Sequence, residues 1–211
     1  MHTSTSAPAS RTSVAAPDRF RWRVVDIVVA AVLGVALGLV FWGWNTVGLA
    51  WFTVMDGFTP GLGGFAVGIW LLGGVVGGLV IRKPGAALMV ELVAAVVSAL
   101  IGNVWGIGTI FSGIAQGLGA ELIFLAFLYV RFTLPVAMLA GAGAAAGAWL
   151  LEFFVFGNIV KTVEFNLIYL GTILVSGALL AGLVGWLLTR ALAATGALNR
   201  FAAGREARRD V

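Results

Sequence analysis

The sequence predicts an all-α membrane protein, six transmembrane helices with both termini cytoplasmic. Three observations predict it. Of 211 residues, 61% are hydrophobic and 10% charged, against roughly 25% charged in soluble domains. The apolar residues gather into six stretches, each roughly the 20 residues that cross ~30 Å of hydrocarbon at 1.5 Å per residue. The basic residues sit almost entirely in alternate gaps between those stretches.

The stretches run 26–45, 62–81, 86–103, 107–130, 135–156 and 165–188. Arg11, Arg19, Arg21 and Arg23 precede the first. Arg82 and Lys83 join the second to the third, and Arg131 joins the fourth to the fifth. Arg190, Arg200, Arg205, Arg208 and Arg209 follow the last. Only Lys161 lies elsewhere, between the fifth and sixth. The positive-inside rule then places both termini and these gaps in the cytoplasm. The outer loops become 46–61, 104–106 and 157–164. The first of these is apolar, with Leu49, Trp51, Phe52 and Phe58 beside Asp56, so it is expected to fold back over the bundle as a lid does. Residues 1–22 read as a disordered cytoplasmic tail, 23–190 as one transmembrane substrate-binding domain, and 191–211 as a second cytoplasmic tail.

Several functions are excluded early. The chain has no cysteine and one histidine, His2, so thiolate or histidine metal sites and histidine-based catalysis are unavailable. There is no GxxxxGK[ST] phosphate loop. Ser98, Ser112 and Ser176 have no base partner, so no catalytic residue, cofactor or metal is assigned and the chain is read as a non-enzyme. The basic tails lie against a lipid bilayer, which leaves no nucleic-acid partner in the reading.

Glycine recurs at helical spacing. Ala30, Gly34 and Gly38 form a stripe along the inner half of the first span. Gly73, Gly74, Gly77 and Gly78 cluster in the second, Gly113 and Gly117 in the fourth, and Gly141 and Ala145 in the fifth. Helices in lipid associate through such small residues. Most of these stripes are expected to pack the bundle internally. The Ala30–Gly34–Gly38 face is the candidate for docking another protein.

The functional argument rests on acids within the spans. Glu91, Glu121 and Glu152 each cost on the order of 2.5–3.5 kcal/mol to insert, by the value for Asp at a helix centre, and so mark functional positions. Counting the rise from the nearest inner residues puts Glu91 at ~13 Å, Glu121 at ~15 Å and Glu152 at ~25 Å from the inner face. Each shares a helix face with small residues. Around the outer half stand Trp42, Trp44, Asn45, Asn103, Trp105, Gln116, Asn166 and Tyr169. Aromatic rings stack on a flat or cationic ring, amides read ring nitrogens, and a carboxylate pairs with an amine.

At Arg82-Lys83-Pro84-Gly85-Ala86 with Glu91, at Gly102-Asn103-Val104-Trp105-Gly106, and at Gln116-Gly117-Leu118-Gly119-Ala120-Glu121, the sequence resembles the YkoE-like S components of energy-coupling factor (ECF) transporters. The end of the first span, Trp42-Gly43-Trp44, is similar too. The likeness covers about residues 23–190 and implies an S-component bundle of six helices. It implies capture of thiamine or its hydroxymethylpyrimidine precursor from outside, and partnership with a transmembrane coupling (T) protein and ATPase subunits. The family's small-residue motif on helix one, which faces the coupling protein, maps onto Ala30 and Gly34, although the family motif is usually an alanine pair. Combining both lines, Glu91 and Glu121 are expected as the main substrate acids, with Gln116, Asn103 and Trp105 beside them. Trp44 and Asn45 would close the site from the first span, and Glu152, Asn166 and Tyr169 from the fifth and sixth. Estimated depths of Glu91 and Glu121 are lower than an outer-half pocket prefers. The other readings of the same residues are a small secondary transporter or channel for a cationic solute, and a purely structural membrane subunit.

Overall fold

A computed structural model describes residues 20–207, and all regular structure among them is helical. The outer parts of both expected tails, residues 1–19 and 208–211, lie outside the described residues. Helix α1 spans Val24–Phe58, α2 Leu72–Ile81, α3 Ala86–Ile101, α4 Gly108–Ala126, α5 Leu134–Phe154, α6 Val163–Ser176, α7 Val184–Ala194 and α8 Ala202–Ala207. A 3₁₀ segment, Leu62–Leu71, runs into α2, and a π segment, Gly177–Leu183, joins α6 to α7. Five stretches are long and apolar enough to cross a membrane. The sixth apolar helix, Ala86–Ile101, is shorter.

Helix α1 differs most from expectation. Its 35 residues make a rod ~50 Å long, so most of the supposed outer loop is helix. No proline interrupts it before Pro60, and Gly48 and Gly57 each cost only about 1 kcal/mol in a helix. The extension is held down by Phe52, whose ring meets Tyr169 edge-on at 6.1 Å. Asp56 then shapes the turn: its Oδ1 accepts the Gly61 and Gly63 N–H groups at 2.7 and 3.1 Å. Gly61 has φ +101°, and a Cβ there would lie 2.9 Å from the Phe165 carbonyl oxygen. The lid is thus a helix end and a tight turn, packed onto α6.

The span Leu62–Ile81 is the centre of the bundle, with 83% of its apolar window buried. Ten residues of 3₁₀ helix are unusually many, because that helix has poorer hydrogen-bond geometry. Here α6 supplies compensation. Ser176 Oγ accepts from the Gly68 N–H at 2.8 Å and donates to the Phe65 carbonyl at 2.8 Å. Thr172 donates to the Gly61 carbonyl at 2.7 Å. Glycine lets the backbones approach this closely.

Helix α4 stops at Ala126, short of the expected residue 130. Leu128 and Tyr129 take left-handed φ of 53° and 52°, an uncommon region for bulky residues, and reverse the chain toward α5. Pro135 sits in the first turn of α5, where its missing N–H costs nothing. Ala137, Ala140, Ala144, Ala145 and Ala148 form the buried face of α5. Beyond Ser176 the last span continues to Ala194, past the expected end at 188, and the domain boundary expected at 190 falls inside α7.

Two apolar clusters form the core. One joins Leu71, Val75, Leu79, Phe124, Tyr169 and Ile173 with the alanines of α5. The other joins Ala30, Leu37 and Phe41 with Val76, Val80, Val90, Ala94, Leu198 and Phe201. The basic end of the bundle is tied at the α2–α3 turn. Buried Lys83 pairs with buried Asp26 and donates to the Arg21 carbonyl at 2.7 Å. Arg23 also contacts Asp26, at 2.9 Å, and Trp22 Nε1 donates to the Pro84 carbonyl at 3.0 Å.

Candidate functional site

A cavity of about 470 Å³ opens between α1, the 3₁₀ segment, α3, α4, α5 and α6. It lies toward the end of the bundle away from the basic cluster. Glu91 stands at its deep end, five residues into α3 and 1% exposed. Its Oε2 accepts the Gly74 N–H at 2.5 Å. That approach requires glycine, because a Cβ on Gly73 would lie 2.7 Å from the same oxygen. Oε1 is buried and has no hydrogen-bond partner among the described residues. One oxygen therefore anchors the carboxyl group, and the other is unpaired among the described residues.

Above Glu91 the wall is aromatic and amide-rich. Asn45 bridges α1 to α3 and to the 3₁₀ segment: its Nδ2 donates to Ser98 Oγ at 3.1 Å, and its Oδ1 accepts from Trp70 Nε1 at 2.9 Å. The Trp70 ring stands edge-on to Trp105 at 5.3 Å. Gln116 also lines the cavity, its amide making no hydrogen bond among the described residues. On the opposite wall, Glu152 of α5 faces the Tyr169 hydroxyl and the Lys161 ammonium. Tyr169 stacks on Phe165 at 5.6 Å, and Lys161 Nζ lies 4.1 Å from the Phe165 ring centroid. The cavity thus presents two carboxylates, one ammonium, three amides (Asn45, Gln116 and Asn158) and a set of ring faces and edges.

Of the residues picked from sequence, Glu91, Gln116, Trp105, Asn45, Glu152 and Tyr169 line this cavity. Trp44, Asn103 and Asn166 stand behind it. Trp44 Nε1 donates to the Ala66 carbonyl at 2.9 Å and its ring meets Trp70 at 6.4 Å. Asn103 Oδ1 accepts from the Trp105 and Gly106 N–H groups and from the Thr109 hydroxyl, at 3.0, 2.8 and 3.1 Å, so it shapes the α3–α4 turn. Asn166 Nδ2 donates to the carbonyls of Asn158 and Thr162 at 2.9 and 3.1 Å and shapes the α5–α6 loop.

Glu121 is elsewhere. Its Oε1 accepts the Gly85 N–H at 2.6 Å, and its Oε2 accepts those of Ala87 and Leu88 at 2.9 and 3.3 Å. Tyr129 donates to Oε1 at 2.5 Å. The carboxylate caps the N-terminus of α3, where unpaired N–H groups and the helix dipole favour an anion. Burial, and then this carboxylate, push the Tyr129 hydroxyl pKa up. The expectation of Glu121 beside Glu91 as a main acid of one pocket is corrected: Glu121 does not line the cavity and lies only five residues from the end of α4, because residues 127–130 are turn, not helix. Glu91 alone holds the deep end of the cavity.

The Ala30–Gly34–Gly38 face is corrected too. It is buried against α3. A Cβ on Gly34 would lie 2.5 Å from Val93 Cγ1, and one on Gly38 2.7 Å from Val97 Cβ. The stripe packs the bundle rather than presenting a free docking face. Sequence reasoning also missed Trp70, Ser98, Thr109, Ser112, Phe165 and Lys161 as lining residues. A signal existed for two of them. Trp70 is the one aromatic with a polar tip inside the Gly-rich second span, and Lys161 is the one basic residue outside the alternate gaps.

Comparison with known proteins follows the same lines. Residues 25–147 match the family described as "ABC-type cobalt transport system, permease component". The chain is 41% identical over 186 residues to a candidate HMP/thiamine permease protein, YkoE, of Bacillus subtilis strain 168, covering 88% of this chain and 92% of that one. Among solved structures it is similar to an S component of an ECF transporter, with TM-score 0.76 and 37% identity, covering 90% of this chain and 95% of that chain. No group of three or more His, Cys, Asp or Glu side chains that could hold a metal ion gathers among the described residues.

Proposed function

We propose, for a chain that belongs to the S components of ECF transporters, the substrate-binding membrane subunits of these importers, that its ligand is thiamine or the hydroxymethylpyrimidine precursor. Glu91 carries the reading. A buried carboxylate with one free oxygen suits an aminopyrimidine, which offers an amine and a ring nitrogen that becomes a donor once protonated. Gln116, open to the same space, suits a second polar edge of that ring. Trp70, Trp105, Phe165 and Tyr169 suit flat aromatic and cationic rings, and Glu152 suits the positive thiazolium. The name of the Bacillus subtilis relative supports the same substrate class.

Capture is proposed from the outer side, the end away from the basic cluster, with both termini cytoplasmic. Delivery then depends on a coupling protein and ATPase subunits, since this chain has no phosphate loop of its own. A channel is disfavoured: Val75, Leu79 and Phe124, each at most 1% exposed, belong to one apolar core cluster in the bundle. Calorimetry on the purified protein without ATP is expected to show binding of thiamine or hydroxymethylpyrimidine. Absence of heat with both would sink the assignment.

A further inference from the structure

A second cleft, of about 230 Å³, lies at the basic end of the bundle between α2, α5, α7 and α8. It is separate from the substrate cavity and shares no lining residue with it. Two arginines flank it, each braced on an aromatic ring. Arg82 lies 4.6 Å from the Phe132 centroid and Arg190 4.8 Å from that of Trp186. Such stacking fixes a guanidinium's plane while leaving its N–H groups free to point outward.

The hydrogen bonding of the two arginines is unequal. Arg82 Nε donates to the Leu79 carbonyl at 3.1 Å, and its Nη2 meets the Glu206 carboxylate at 2.7 Å. Arg190 makes no hydrogen bond or ion pair among the described residues. Thr133 and Thr189 also line the cleft. Glu206 belongs to α8, a six-residue helix packed against α2 and α7, and its side chain is 63% exposed. A carboxylate therefore already sits on one side of the cleft, delivered by a short helix at the edge of the fold, and a second guanidinium lines the same space with no hydrogen-bond or ion-pair partner among the described residues.

We infer that this cleft is a binding site for a phosphate-type anion, held between Arg82 and Arg190, with the Glu206 carboxylate as its internal competitor. Arginine pairs bind phosphate oxygens through charge-assisted, often two-pronged hydrogen bonds. The source favoured by position is an anionic lipid headgroup. The cleft lies at the ends of α2 and α5, where headgroups lie, and Leu187 and Leu188, next to Trp186 on α7, are 51% and 41% exposed, giving acyl chains an apolar surface. Basic pockets between transmembrane helices take anionic headgroups in this way.

Native mass spectrometry of the full chain tests this in micelles doped with equal phosphatidylglycerol and phosphatidylcholine, with a parallel thermal-shift titration of inorganic phosphate in lipid-free detergent. Preferential retention of phosphatidylglycerol supports the site with a lipid source. A saturable shift with inorganic phosphate but no lipid preference supports it with a free-ion source. In either case Arg190→Gln is expected to weaken binding about fivefold, the worth of one arginine near an anionic surface, and Glu206→Gln to strengthen it. Arg190 has no hydrogen bond or ion pair among the described residues to lose, only its contact with the Trp186 ring, so its variant reports on the ligand even if Arg82→Gln misfolds. Equal retention of both lipids with no phosphate shift overturns the proposal, and so does an Arg190→Gln protein that binds like the wild type.

Discussion

At Glu91, one carboxylate oxygen is tied to the Gly74 N–H and the other has no hydrogen-bond partner among the described residues. An amide in its place keeps the tie, because Gln still has an acceptor oxygen, but replaces the free oxygen with a donor. Glu91→Gln is therefore expected to keep the fold and lose at least tenfold in ligand affinity, about 1.4 kcal/mol. Calorimetry beside a melting curve checks both halves, and unchanged affinity would remove Glu91 from the proposed site. Gly34 illustrates the opposite kind of residue. A leucine there drives its Cβ into Val93, and overpacking of a tight core costs about 1–3 kcal/mol. Gly34→Leu is expected to lower Tm and to weaken ligand binding through the displaced α3. A variant with normal Tm and binding that fails only in transport would restore the stripe as a partner surface.

Helix α3 is the element that joins the two ends of the molecule. Its first turn is capped by Glu121, and Glu91 projects from its second turn into the cavity. The cap is built by α4 and by Tyr129 after it, so helix position and carboxylate depend on each other. Glu121→Gln leaves a neutral cap and is expected to cost about 1–3 kcal/mol of stability. Ligand affinity should fall less than in Glu91→Gln, because Glu121 lies outside the cavity. Comparing the two variants by chemical denaturation and calorimetry separates a capping acid from a binding acid. A larger affinity loss for Glu121→Gln would reverse the assignment. The 3₁₀ segment has the converse role: it carries Val67 and Trp70 into the cavity, and its poor local hydrogen bonding is offset by Ser176 and Thr172 of α6.

Across the whole molecule, the basic end is locked and the cavity end is built of turns. The Asp26–Lys83 pair sits fully within the protein, joining α1 to the α2–α3 turn. Asp26 keeps Arg23 as a partner when Lys83 is lost, so Lys83→Met is expected to cost less than the roughly 3–5 kcal/mol of a fully uncompensated buried charge. Asp26→Asn combined with Lys83→Met should recover part of it, as read from Tm in a double-mutant cycle. An additive double variant would mean that the two charges do not interact. In a plasma-membrane protein of this family, movement during transport is then expected at the cavity end, where the end of α1 brings Leu49 and Phe52 to the cavity and the turn at Gly61 follows it.

The sequence by itself determined the class. Apolar run length, alternating basic gaps and buried acids depend only on local composition and on the cost of polar groups in lipid, so the helical membrane architecture was legible, as were Glu91 and Glu152 as acids within the spans, both of which line the cavity. Motifs at 82–91, 102–106 and 116–121 were enough to identify the family. Tertiary structure decided which acids meet. Glu91 and Glu121 have similar sequence depth, but the left-handed turn at Leu128 and Tyr129 shortens α4 and moves Glu121 to the end of α3. Tertiary packing also decided which face of α1 is free: a small-residue stripe reads the same whether its neighbour is Val93 of the same chain or another protein. Trp70 reached the cavity only because a 3₁₀ twist, held by α6, turned it there, and no local signal encodes a twist that a distant helix supplies.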